Sequence, residues 1–258
     1  ILVGYNNLER LFEYANKRED NYNKNVFDDN LALAFNTIDK DHVKLVRNSY
    51  IEDEDVSVTV KYDLAEFYSD FSFIYPIHRS LPKYLENGAK IFYYVFKYAG
   101  GRNFVKLREN ITGPGAVHSD EKVYLFDMTV LPETNTPEDQ AIIDKITIMW
   151  TYFVKKIWVN ILFLLRGLTR PNPINSTDHH NPMNLKFVSL FFQRSYSETT
   201  ELLSVKWIPI SKDALNYLEI DKELTLKKRP KQTQMAFWDL YYKINKQHLK
   251  GYRSTDFN

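Results

Sequence analysis

Two side chains in this sequence carry the means of proton transfer at places where a fold can present them. His118 stands in "GPGAVHSDEKVYLF", residues 113 to 126, just after two glycines and a proline and just before an acidic pair and an apolar run. An imidazole titrates near neutrality, so it can both take and return a proton. Glu9 follows the apolar stretch "ILVG" within a few residues and lies in a run where Leu8, Leu11, Phe12 and Ala15 recur at helical spacing. It is a carboxylate at a strand-to-helix corner. Each has a bland reading when taken alone: a loop histidine is most often structural or solvated, and an acid at a helix start most often serves that helix.

Other chemistries are excluded or weak. There are no cysteines, which rules out a disulfide framework, thiolate catalysis and cysteine-ligated zinc, and fits a reducing compartment without fixing one. "DHH", residues 178–180, places adjacent histidines in a polar loop rich in Pro and Asn, without the one-face i, i+4 spacing of a helical zinc site; it reads as loop. The basic run "LKKRPK", residues 226–231, has no aromatic stacking platform around it and reads as a solvated face. The 34 basic and 33 acidic side chains cancel to +1, so no whole-chain field favours nucleic acid or an anionic membrane. The longest apolar run, residues 157–165, is far shorter than the ~20 residues a bilayer-spanning helix needs, so no transmembrane segment is expected.

The elements around these residues must bring them together. The chain is 44% hydrophobic and 15% aromatic over 258 residues, enough to bury a large core. "ILVG" reads as the end of a strand, stopped by glycine and two asparagines, with a helix from Leu8 to Lys17 behind it. Residues 28–66 read as amphipathic helices joined by polar loops, and "SDFSFIYPIHRSLPKYL" continues them with two prolines as punctuation. "AKIFYYVFKYAGG", residues 89 to 101, is apolar or aromatic on both alternating faces and stops at two glycines, the pattern of a strand buried in a parallel sheet. "NTPEDQAIIDKITIMWTYFVKK" predicts a helix with Thr136 as N-cap, Pro137 in its first turn and an apolar stripe of Ile142, Ile146, Met149, Trp150 and Phe153. "LLSVKWIPI" and "ALNYLEID" read as short strands and "QMAFWDLYYKINKQ" as a closing helix. Strands separated by long helical stretches predict an α/β sheet, in which functional loops follow the carboxyl ends of strands. Glu9 follows one such strand and His118 another. If those strands are neighbours, residues more than a hundred positions apart meet.

The order of these segments resembles the type-B carboxylesterases, the cholinesterase-like branch of the α/β-hydrolases, and most closely the insect α-esterases. "LVGYNNLERLF" is similar to the family's strand, Gly-x-Asn-x-x-Glu-Gly turn and helix, and "GAVHSDEKVYLF" to its Gly-x-x-His-x-x-Glu loop. "SDFSFIYPIHRS", "IFYYVFKYAG", "MWTYFVK", "VKWIPI", "YLEID" and "MAFWDLYY" match further markers in order. The resemblance implies the C-terminal portion of an α/β-hydrolase fold, a mostly parallel central sheet flanked by helices, with residues 1–258 forming part of one carboxylesterase domain. It implies Glu9 as the acid and His118 as the base of a Ser-Glu-His triad, Glu121 as a buried supporting acid, small carboxylic esters as substrates, and no metal or organic cofactor. The family's nucleophile sits in a Gly-x-Ser-x-Gly elbow, and none of the eight glycines here brackets a serine in that pattern. The chain, which opens on Ile-Leu-Val-Gly without an initiator Met or a secretory signal, is therefore expected to be a piece of a longer protein and inactive by itself.

Two features depart from the family. Arg10 stands where glycine is usual, and a guanidinium there would compete with His118 for Glu9. Residues 154–166, "VKKIWVNILFLLR", and 188–194, "VSLFFQR", break the family's spacing and read as insertions, of the composition that translated retained introns would have. The alternative to a hydrolase is a catalytically inactive cholinesterase-like binding module, which Arg10 favours. Because covering strands are expected to be missing, "IFYYVFKY" is expected to leave an apolar edge bare and the chain poorly soluble.

Overall fold

The computed structural model describes residues 1–129, 131, 134–168, 203 and 205–251, with the backbone alone for 152 and 155–168. Four strands form one sheet in the order β1-β2-β3-β4: β1 Leu2–Asn6, β2 Phe92–Phe96, β3 Asn216–Ile220 and β4 Leu224–Lys228. The first three run parallel and β4 turns back antiparallel to β3. Between β1 and β2 lie α1 (Val26–Ala34), α2 (Lys40–Ile51), α3 (Lys61–Ser69) and α4 (Tyr75–Glu86); between β2 and β3 lie α5 (Phe104–Arg108) and α6 (Pro137–Leu168); α7 (Gln232–Ile244) follows β4. Parallel strands need such long crossovers.

Strand β2 is dry on both faces, as its unbroken apolar pattern predicts. Tyr93 and Val95 enter a core built with α1 to α4 and α7, while Phe92 and Phe96 enter a second core with Ile142, Ile146 and Met149 of α6. Burying each such side chain is worth about 1.5–3 kcal/mol. The expectation of a bare apolar edge at β2 is therefore overturned: β1 and β3 flank this strand, and the unpaired edges among the described residues belong to β1 and β4.

Local chemistry explains several boundaries. Thr136 caps α6 as expected: its hydroxyl accepts from the Asp139 amide at 3.0 Å and donates to the Asp139 carboxylate at 2.8 Å. Residues 154–166 continue α6, whereas 178–180 and 188–194 lie outside the described residues. Gly4 does not end β1; the strand stays paired with β2 through it to Asn6, and the ring of Tyr94, its partner in register, fills the space a side chain at position 4 would need. Residues 205–210 form no strand: Pro209 has no N–H for a ladder, and the segment is held beside β2 by the Ile210 amide, donating to the Ile91 carbonyl at 2.9 Å, and by Trp207 Nε1, donating to the Tyr93 carbonyl at 3.2 Å. Between α3 and α4 the chain opens into a π-turn, Asp70–Ile74, closed by the Tyr75 amide on the Asp70 carbonyl. Pro76 accounts for it, since its ring clashes with the carbonyl four residues back and the wider turn makes room.

Candidate active site

Strands β1 and β2 are in register, with Asn6 opposite Phe96, so both end at one rim of the sheet. The turn after β1 and the loop carrying His118 are then laced together. The Asn7 amide donates to Phe96 at 3.0 Å, the Leu8 amide to Ala116 at 3.1 Å, and the His118 amide to the Glu9 carbonyl at 3.1 Å. The Asn7 side chain accepts from the Ala116 amide at 2.9 Å. These bonds overturn the expected helix from Leu8 to Lys17. The Glu9 carbonyl that would accept a helical bond is taken by His118, and only the 3₁₀ turn Leu11–Glu13 forms.

Glu9 and His118 meet side chain to side chain. Glu9 Oε2 lies 2.8 Å from His118 Nδ1, and Oε1 accepts from the Asn6 amide at 2.8 Å. A carboxylate can only accept, so with Glu9 ionised the imidazole proton sits on Nδ1 and Nε2 presents a lone pair. Glu9 is 4% exposed, while the His118 side chain is 46% exposed. The pair has a dry end and an open end. Burial raises the Glu9 carboxyl above its ordinary range, against the Asn6 amide and His118, which favour the charged form; the nearby Glu121 carboxylate adds to the rise.

Glu121 is half-buried, and its Oε2 accepts from Asn6 Nδ2 at 2.5 Å. Asn6 thus holds both carboxylates, one by its backbone and one by its side chain, at the last position of β1. Three further supports surround the pair: Asp120 and Lys106, whose roles were not read from the sequence, and Gly115, the glycine of the histidine-loop motif. The Asp120 carboxylate, fully buried, accepts from the Val117 amide at 2.8 Å, from Asn103 Nδ2 at 2.9 Å and from the Val105 amide at 3.2 Å. Lys106 Nζ donates to the carbonyls of Gly113 at 2.5 Å and Gly115 at 3.0 Å. Gly115 has φ +79° and sits against Leu8 and Asn7, so only glycine fits without strain. The Asn-Asn pair before Glu9 and the acid two residues after His118 were the available signals. Their targets are backbone amides, which leave no trace in residue spacing.

Arg10 does not take Glu9 from His118. Its guanidinium turns away to Glu13, Nη1 to Oε1 at 3.1 Å, and lies over the rings of Tyr68 and Phe73 at 4.4 and 5.1 Å. Its amide donates to Ser69 Oγ at 2.9 Å. Among the described residues no group of three or more metal-ligating side chains occurs, and no helix is long and apolar enough to cross a membrane.

No curated protein matches this chain. Its fold is similar to that in the crystal structure of juvenile hormone esterase from Manduca sexta with OTFP covalently attached, at a TM-score of 0.59 and 17% sequence identity; the match covers 94% of this chain and 41% of that one. At this identity the likeness carries the fold, and this chain spans less than half the length of that protein. The four-stranded, mostly parallel sheet with its helices is accordingly part of an α/β-hydrolase fold. Residues 1–238 match the model of the carboxylesterase family, from the Glu9 turn through the His118 loop and into α7, and the chain belongs to that family.

Proposed function

We propose that this chain supplies the acid and the base of a serine-type carboxylic ester hydrolase. The observation that carries the reading is the 2.8 Å contact between a buried Glu9 carboxylate and a half-exposed imidazole bound through Nδ1. In the proposed reaction a serine from outside these residues attacks an ester carbonyl as His118 Nε2 takes its proton. The proton then passes to the departing alcohol, and water repeats the sequence on the acyl-enzyme. Glu9 holds the Nδ1–H tautomer and stabilises the imidazolium formed in each step. Glu121 acts through Asn6, fixing the turn that carries Glu9.

In a domain that joins these residues to a nucleophile elbow, Glu9→Gln and His118→Gln are each expected to lower kcat/KM by on the order of 10⁴-fold, measured with a chromogenic acyl ester. Glutamine at position 9 presents an N–H toward Nδ1 and selects the wrong tautomer. Unchanged turnover in either variant would remove these residues from the chemistry, and a domain whose elbow lacks serine would favour the binding-module reading. The 258-residue chain tested alone should show neither turnover nor a burst of released chromophore. A burst would mean that the nucleophile is already present here.

A further inference from the structure

We propose that Arg10 is a positioning residue for His118, acting through Phe73; the inference rests on the catalytic reading of His118 above. Among the described residues the His118 side chain is hydrogen-bonded at one atom, Nδ1, and a single hydrogen bond leaves the half-exposed ring free to swing Nε2. Phe73 closes one side of that swing, its ring centroid 5.0 Å from the imidazole with the planes at 44°. Phe73 is itself only partly buried and needs a back wall, which Arg10 provides with its guanidinium 5.1 Å from the ring.

The guanidinium is in turn held by ring faces and one anion. Tyr68 lies at 4.4 Å and Phe12 at 5.9 Å, Glu13 takes Nη1 at 3.1 Å, and Nε is buried with no hydrogen-bond partner among the described residues. An arginine so placed is stabilised by ring quadrupoles more than by donors. The π-turn explains why the parts register. Ser69 and Phe73, four residues apart, face the same corner: the Ser69 hydroxyl donates to the Ala65 carbonyl at 2.6 Å and accepts the Arg10 amide, while Phe73 reaches past it to the imidazole. Arg10 thus occupies the glycine position of the family together with an aromatic cage that makes use of its charge.

The test is nuclear magnetic resonance of the full chain labelled in histidine, reading the exchange rate of the His118 Nδ1 proton and the line widths of its ring signals. Glu9→Gln should abolish the Nδ1 proton signal. Arg10→Leu, which keeps bulk and removes charge, and Phe73→Leu should each speed its exchange by about threefold or more, the effect of losing one cation–π or ring contact. Arg10→Lys should stay between wild type and Arg10→Leu. His42 and His78, on α2 and α4, report whether each variant is folded, and if Arg10→Leu fails to fold the lysine variant and Phe73→Leu carry the comparison. Exchange unchanged in the folded Arg10 and Phe73 variants, with the signal still lost in Glu9→Gln, overturns the positioning role. Survival of the signal in Glu9→Gln overturns the catalytic pairing on which it rests.

Discussion

In the proposed role Glu9 must stay both dry and charged, and these demands oppose each other. Burial raises its carboxyl, so the proton leaves only at a pH above the usual glutamate range. The sign for stability follows: a raised folded-state value helps the fold below the unfolded value and stops helping as pH rises through the raised one. Glu9→Gln should therefore leave the folded chain at least as stable as wild type near neutral pH while disabling the pair, and urea midpoints would reveal this; a large loss would mean that the carboxylate is chiefly a structural anchor. Gly115 poses the opposite case. Alanine there would hold a strained φ and place Cβ 2.8 Å from Leu8 Cδ1 and 2.9 Å from Asn7 Nδ2. Gly115→Ala should cost about 1–3 kcal/mol and loosen the His118 loop, seen as a lower urea midpoint and broadened His118 signals.

At the scale of elements, the π-turn and the start of α7 are joined by a buried ion cluster. Lys231 Nζ lies 2.6 Å from Glu66 and 2.7 Å from the fully buried Asp70, while the Tyr50 hydroxyl donates to Asp70 at 2.9 Å and Trp238 Nε1 donates to that hydroxyl at 2.8 Å. Burial nonetheless holds the Asp70 carboxyl up at about 6. Its contribution to stability is thus present below the ordinary aspartate value and lost as pH rises through about 6. Asp70→Asn should flatten that part of the pH–stability profile. Lys231→Met leaves Asp70 buried without its cation, a loss of about 3–5 kcal/mol where the carboxylate is ionised, so urea midpoints should fall further near pH 8 than near pH 5. An equal loss at both would mean that Lys231 contributes packing alone. The basic run at 226–231 is accordingly less solvated than its composition suggests. Lys227 pairs with Glu219 across β3 and β4 at 2.7 Å, and Lys231 reaches inward.

At the scale of the whole molecule, the sheet ends on one side at β1, whose outer edge is unpaired among the described residues. An open edge templates further pairing, so static light scattering of the chain should show mass rising with concentration, and a monodisperse monomer across the range would contradict this. What spacing and residue type settled were the local matters: a two-face apolar strand at β2, the Thr136 cap, the acid just after β1, and a mostly parallel sheet; His118 follows β2 only after α5 has intervened. Strand β4 was missed although Leu224, Thr225 and Leu226 alternate, since the basic residues after them read as surface. What could not be read were destinations. Arg10 lies next to Glu9 in the chain and turns to Glu13, Tyr68 and Phe73 instead; Lys231 finds acids some 160 positions away; Phe73 meets His118 across a crossover. Periodicity reports which face of an element is dry because that depends on neighbours along the chain. Where a charged or aromatic tip goes depends on which elements the fold sets beside it, and that choice is made only when the sheet and its helices have packed.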